Sequence, residues 1–169
     1  IGKDSIKDVY IGSTVTSIGT DAFRSCTALQ TVIISNSVTS IGINAFHGSA
    51  LQSVTIPNSV TTINSGAFFG LLNMPAISIP DSVTSIGPNA FKVCRGLKTL
   101  TIGNGITTLP SEVFEYCSGL KYVTIGNSVW YIGNEAFKNC TLLNNITIPD
   151  SVTTIYSNAF TSSGLTLVI

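Results

Sequence analysis

LQSVTIPNSVTTINSGAF, residues 51–68, and LNNITIPDSVTTIYSNAF, residues 143–160, are two copies of one pattern. Working outward from them, the same segment opens at Val15, Val38, Val60, Val83, Ile106, Val129 and Val152, at spacings of 23, 22, 23, 23, 23 and 23 residues. A fixed period of this length marks a solenoid in which each repeat forms one coil. Three residues after each opener stands Ile18, Ile41, Ile63, Ile86, Leu109, Ile132 or Ile155. Next comes a phenylalanine, at Phe23, Phe46, Phe68, Phe91, Phe114, Phe137 and Phe160. Seven of the eight phenylalanines therefore share one column, and Phe69 falls outside it. Further columns carry Leu29 to Leu165, then Val32 to Val168, then Ile34 to Ile148. Ile6, Val9 and Ile11 match the last three columns, so a half repeat over residues 1–12 precedes seven full ones. The single 22-residue spacing arises because Phe46 to Leu51 is one residue shorter than Phe23 to Leu29, a deletion suited to a turn.

One such coil is a single layer with two open faces and cannot bury its apolar residues against itself. Stacking buries them as continuous ladders, with contacts almost wholly between neighbouring coils. The alternation in L-x-x-V-x-I predicts a short strand, Val and Ile inward, pairing in parallel with its counterparts. The V-T-S-I stretch is rich in β-branched residues and suits a second extended segment on the opposite side. Between them, A-F-x-x-C-x-x-L spaces its apolar residues as a helical or 3₁₀ turn does. Glycine, Pro-Asn, Pro-Asp and Gly-Asn supply the corners.

These units resemble the BspA-like class of leucine-rich repeats, whose pattern reads L-x-x-L-x-L-P-x-x-L-x-x-I-G-x-x-A-F-x-x-C. The likeness spans practically the whole chain and recurs in every unit. It implies a leucine-rich-repeat solenoid, a right-handed α/β or mainly β horseshoe with a parallel sheet on its concave face. It further implies large surface or secreted proteins of bacteria and some protists, several of which adhere to host matrix proteins or other cells. On that resemblance the expected partner is a protein or glycan on a host or neighbouring cell.

Composition narrows the function classes. Only 9% of residues are charged, with eight Lys plus Arg against eight Asp plus Glu. No long-range positive field is available for phosphate backbones, which argues against a nucleic-acid partner. Apolar residues never run together long enough to span a bilayer, so no transmembrane segment is expected in this chain. The whole of residues 1–169 reads as one solenoid domain. Ile1 enters mid-pattern and Val168-Ile169 ends on a strand without a polar cap, so a fragment of a longer protein is expected.

Residues able to carry chemistry are few. Cys26, Cys94, Cys117 and Cys140 each follow the phenylalanine by three residues, in a column otherwise holding Ser49, Leu71 and Ser163. Such a column suits a small buried side chain, and free cysteine packs as a small hydrophobe. Coils about 4.8 Å apart bring Cys94, Cys117 and Cys140 within disulfide reach, although parallel side-chain directions oppose bonding. A zinc site would need converging ligands and a C-x-x-C spacing that this sequence lacks. His47, the one histidine, has no acidic residue near it in sequence and reads as a solvent-facing loop residue. The serines form columns, not an activated singleton. No catalytic, cofactor-binding or metal residue is assigned. Lys92, Arg95 and Lys98 cluster one coil before Glu112 and Glu115, either as a recognition patch or as solvated ion pairs worth little.

The candidate binding surface is the outward rank of the strands. It comprises Tyr10, Thr31, Thr55, Thr99, Thr101, Tyr122, Thr124, Asn145 and Thr147, small and hydroxyl-rich residues with almost no charge. On the V-T-S-I side, ranks of threonine resemble the flat ladders of ice-binding solenoids. Trp130 and Tyr131 interrupt those ranks in one coil, with Tyr156 in the next, and exposed aromatics are common hot spots. Asn139 and Asn145 begin glycosylation sequons that matter only in a eukaryotic secretory pathway. A non-catalytic binding or adhesion module is the favoured expectation, a structural spacer the alternative and an enzyme a distant third.

Overall fold

A computed structural model describes residues 5–166, so the terminal positions Ile1, Val168 and Ile169 lie outside the described residues. Each coil sets down a strand of one kind, a chain of turns, and a strand of a second kind. The first kind comprises β1 (Asp8–Ile11), β3 (Thr31–Ile34), β5 (Ser53–Val54), β7 (Ala76–Ile79), β9 (Thr99–Ile102) and β11 (Tyr122–Thr124). The second comprises β2 (Ser17–Ile18), β4 (Ser40–Ile41), β6 (Thr62–Ile63), β8 (Ser85–Ile86), β10 (Thr108–Leu109), β12 (Tyr131–Ile132) and β13 (Thr154–Ile155). All pairings are parallel, and the register joins identical columns: Val9 to Val32, Ile77 to Leu100, Ile18 to Ile41. Inward residues such as Val32, Leu100 and Ile41 are buried while their strand neighbours face out, as the alternation predicts.

The inner columns form one continuous core. At its centre the seven rings from Phe23 to Phe160 stack in a single file, with centroids 5.0–5.5 Å apart and planes within 19°. Strands of a sheet lie about 4.8 Å apart. The ring file runs slightly wider than that spacing.

The segment around each phenylalanine is not the helical turn suggested by its apolar spacing; no helix occurs among the described residues. Two residues per coil take a left-handed backbone, for example Asn89 at φ 58° and Val93 at φ 64°. A left-handed residue every four positions stops helix propagation. Alternate amides then act differently. Ala90, Lys92 and Cys94 N–H donate back three residues to Gly87, Asn89 and Phe91 carbonyls, closing overlapping turns. Asn89, Phe91 and Val93 N–H donate across to Ser111, Val113 and Glu115 of the next coil. The turn segments thus build a hydrogen-bonded ladder of their own. Gly119 follows it with its Cα against the Arg95 carbonyl, where any Cβ would collide.

Both sheets are interrupted once. The first-kind strands split into β1-β3-β5 and β7-β9-β11, and the second kind into β2-β4-β6-β8 and β10-β12-β13. A proline explains each break. Gln30, Gln52, Lys98 and Lys121 donate their N–H to the preceding coil, and Pro75 occupies the same column without an N–H to give. Gly42, Asn64, Gly87, Gly133 and Tyr156 do likewise on the other side, where Pro110 is the exception. Proline at a ladder position removes the donor outright.

Candidate functional site

The outward strand rank lies where the alternation placed it. Thr99 and Thr101 of β9, Tyr122 and Thr124 of β11 and Tyr10 of β1 are exposed, as is Thr55 just beyond β5, while Thr31 of β3 is half-buried. Tyr10 is 73% and Tyr122 68% exposed. Tyr10 pairs in register with Ile33, itself an exposed apolar residue, and Tyr122 pairs with Thr99. Asn145 and Thr147 are exposed as expected, but residues 143–149 do not join the sheet as a strand. Asn144 and Asn145 put two poor strand formers at its start. A hollow of about 420 Å³ opens at the end of the shortened β5, between Ile33, Asn36, Thr55 and Asn58.

The threonine rank of the other sheet spends its hydroxyls internally. Thr39, Thr61 and Thr84 Oγ1 donate to the carbonyls of Thr16, Thr39 and Thr61, one coil back, at 3.1, 3.3 and 3.4 Å. A rank so bonded offers methyl groups more than free hydroxyls, unlike the open ladder the sequence resembled. Trp130, 47% exposed, and half-buried Tyr131 interrupt it. Their rings meet edge-on at 5.5 Å and 60°, and Tyr131 meets Tyr156 at 5.7 Å and 47°. Beside them lies a groove of about 410 Å³ lined by Pro88, Thr108, Pro110, Ser111, Trp130 and Tyr131. It sits over the β8–β10 break that Pro110 creates.

The row immediately after the phenylalanines holds Arg24, His47, Phe69, Lys92, Glu115, Lys138 and Thr161. In space these residues interact along the row. His47 stacks on Phe69 at 4.5 Å and 12°, which gives that stray phenylalanine its place. His47 is therefore half-buried, not the freely solvated residue expected, and its Nδ1 is buried without a hydrogen bond. Desolvation, with the Arg24 charge one coil away, lowers its pKa against the opposing pull of Asp21. Lys92 contacts Glu112 and Glu115, and Lys138 contacts Glu115 and Glu135. Glu115 is buried at the centre of this network, which Arg95 and Lys98 do not join. It is an inter-coil clamp in which two ammoniums meet three carboxylates. Glu135 and Lys138 pair locally, three residues apart, and only the contact of Lys138 with Glu115 depends on the stacking of coils.

All four cysteines are buried and unbonded to one another. Cys94, Cys117 and Cys140 Sγ donate to the carbonyls of Phe68, Phe91 and Phe114 at 3.0, 3.2 and 3.3 Å. Burial raises the Cys117 thiol and takes Cys140 up to about 12. Among the described residues no three His, Cys, Asp or Glu side chains converge as a metal site. No helix among them is long and apolar enough to cross a membrane.

A family model described as a BspA type leucine rich repeat region of six copies matches residues 2–121 and 61–169. A leucine-rich repeat protein from Bacteroides ovatus is similar over 94% of this chain and 47% of its own, at 26% identity and a TM-score of 0.81. A Treponema (T. pallidum) leucine-rich repeat protein is similar over 80% of this chain and 64% of its own, at 28% identity and 0.74. One from Eubacterium ventriosum covers 98% of this chain and 61% of its own, at 26% identity and 0.68. This chain thus spans about half to two thirds of the length of these solved proteins. No curated protein sequence matches it.

Proposed function

Because the chain belongs to the BspA-type leucine-rich repeat family, we propose that it is a non-catalytic adhesion module, part of a surface or secreted protein, that meets a protein or glycan through its concave strand face. One observation carries this reading: an outward strand rank of small hydroxyl-rich residues on both sides of the β5–β7 break, with Asp8 its one charge and the rings of Tyr10 and Tyr122 exposed on it. Exposed tyrosines set among small hydroxyl residues give contact area at little entropic cost. Solenoids present such faces as extended binding surfaces. The buried thiols and the stacked histidine argue in the same direction, since neither is set for nucleophilic or proton-transfer work.

The test is retention of the purified chain on immobilised matrix proteins and on a glycan array. The expected result is a retained partner whose signal falls at least about tenfold in Tyr10→Ala/Tyr122→Ala, as for central hot spots. Retention by none of these surfaces overturns the reading. A structural spacer is the second reading, favoured by the internally bonded threonine rank.

A further inference from the structure

We propose that the groove over the β8–β10 break binds a neutral saccharide, with a sugar ring stacked on Trp130. The inference rests on the binding-module reading but uses the other sheet.

Three observations lead to it. Trp130 and Tyr131 stand in register with Thr107 and Thr108 of one neighbouring coil and Thr153 and Thr154 of the other. The fold thus accepts small hydroxyl residues here, and packing alone does not call for two large rings. Trp130 nevertheless leaves nearly half its surface in water. Next, Pro110 removes the amide that would have tied this coil to the preceding sheet, and the space beside it holds about 410 Å³, within the range of small-ligand sites. Finally, every lining side chain is neutral: two prolines and two aromatics give apolar surface, and Thr108, Ser111 and Tyr131 give hydroxyls.

That chemistry is selective. The C–H face of a pyranose carries partial positive charge and stacks on an electron-rich ring face. Its hydroxyl edge exchanges hydrogen bonds with neutral hydroxyls without the desolvation cost of an ion. An acidic or basic ligand finds no counter-charge among the lining residues. A proline-rich helix docks in a groove lined by aromatics, but its regular ridges suit aligned rings, whereas the rings here are tilted 60° and 47° to their neighbours.

Trp130 is the chain's one tryptophan, so its fluorescence reports this site alone. The purified chain would be titrated with β-glucan, α-mannan and galactan oligosaccharides, and with polygalacturonate and decaproline. The expected result is a saturable spectral shift with at least one neutral saccharide and none with polygalacturonate or decaproline. Binding measured calorimetrically should weaken at least about tenfold in W130T/Y131S, which restores the Thr-Ser pair that Thr16-Ser17, Thr39-Ser40 and Thr84-Ser85 carry in the same columns. Leu72→Ala, at an exposed apolar residue outside both strand ranks, should bind as the native chain does. No shift with any neutral saccharide, a shift only with decaproline or polygalacturonate, or undiminished binding by W130T/Y131S each overturns the proposal. If matrix proteins or glycans are still retained through the tyrosine face, this site fails alone and the module reading stands.

Discussion

The ammonium of Lys92 lies 2.7 Å from Oε2 of Glu115 in the next coil, and that carboxylate side chain is only 4% exposed. Oε2 takes the contact outside hydrogen-bond geometry, so the pair holds chiefly by charge. Lys138 approaches the other oxygen at 3.8 Å from the coil beyond. Removing one partner leaves a buried charge uncompensated. Lys92→Ala is expected to cost about 2 kcal/mol, less than the roughly 3–5 kcal/mol of a fully buried pair, because Lys92 is 22% exposed and Lys138 remains. Adding Glu115→Leu should recover most of the loss by removing the buried charge. Urea midpoints of the two variants decide the point; a double variant no better than the single locates the cost elsewhere.

Acid should weaken the same clamp. A hydrogen bond from Lys92 holds the Glu112 carboxyl below its ordinary 4.5. A carboxyl depressed in the folded state stabilises the fold above its unfolded pKa, and that stability is lost as pH falls through the folded value. Lys92 runs the other way: burial opposes its charge, but the hydrogen bond to Glu112 and the nearby Glu115 and Glu112 charges prevail and raise it above 10.5. Its contribution is whole below that pH and is lost as pH climbs through the raised value. Urea midpoints at pH 7 and pH 3.5 should therefore fall further for the native chain than for Glu112→Gln. The difference stays under about 1 kcal/mol, since a part-exposed pair is screened. Equal falls in the two proteins would show that Glu112 contributes nothing.

The columns were legible because each inward residue repeats in kind, so the phenylalanine file and the strand register followed from spacing alone. The turn geometry was hidden by that same apolar spacing, which a helical turn and a chain of left-handed corners satisfy equally. Its signal lies in the first left-handed column, Asp21, Asn44, Gly66, Asn89, Glu112, Glu135 and Asn158, where Asn, Asp and Gly predominate. The Lys92–Glu115–Lys138 clamp and the His47–Phe69 stack become readable only down the row after the phenylalanines. A linear reading saw separate charges and a stray ring. Pro75 and Pro110 were plain in the sequence, but only the register shows which donor each one removes.

Val93 should be a strained position that tolerates improvement. A β-branched residue at φ 64° crowds its own backbone, at a cost on the order of 1–2 kcal/mol. Gly48, Gly70 and Asn139 occupy the same column at similar angles. Val93→Asn is expected to raise stability by about 1 kcal/mol, the strain relieved less the half-buried apolar surface lost. Thermal unfolding reads the gain, and a lowered midpoint would refute the strain.

The ring file should fail locally when one member is removed. Phe91 is fully buried and stacks on Phe68 at 5.0 Å and on Phe114 at 5.5 Å. Phe91→Ala is expected to cost about 3–5 kcal/mol, with Phe91→Leu costing clearly less. Phe160 is half-buried with its described stacking neighbour on one side only, Phe137. Phe160→Ala should therefore be the milder change, and equal losses at both positions would contradict the file as the source of stability.

The cysteines give a kinetic readout of coil opening. Attack on a disulfide reagent requires thiolate and access, and burial denies both: the Cys140 thiol is pushed up to about 12 and Cys117 is also raised. Each donates to a phenylalanine carbonyl one coil back, so reaction requires neighbouring coils to separate. An aromatic disulfide reagent at pH 8 should label none of the four thiols promptly in the native chain and all four in denaturant. Labelling of Cys117 should accelerate in Phe91→Ala, whose carbonyl acceptor remains while the packing around it is lost. Rapid native labelling at Cys117 or Cys140 would show that the coils part without unfolding.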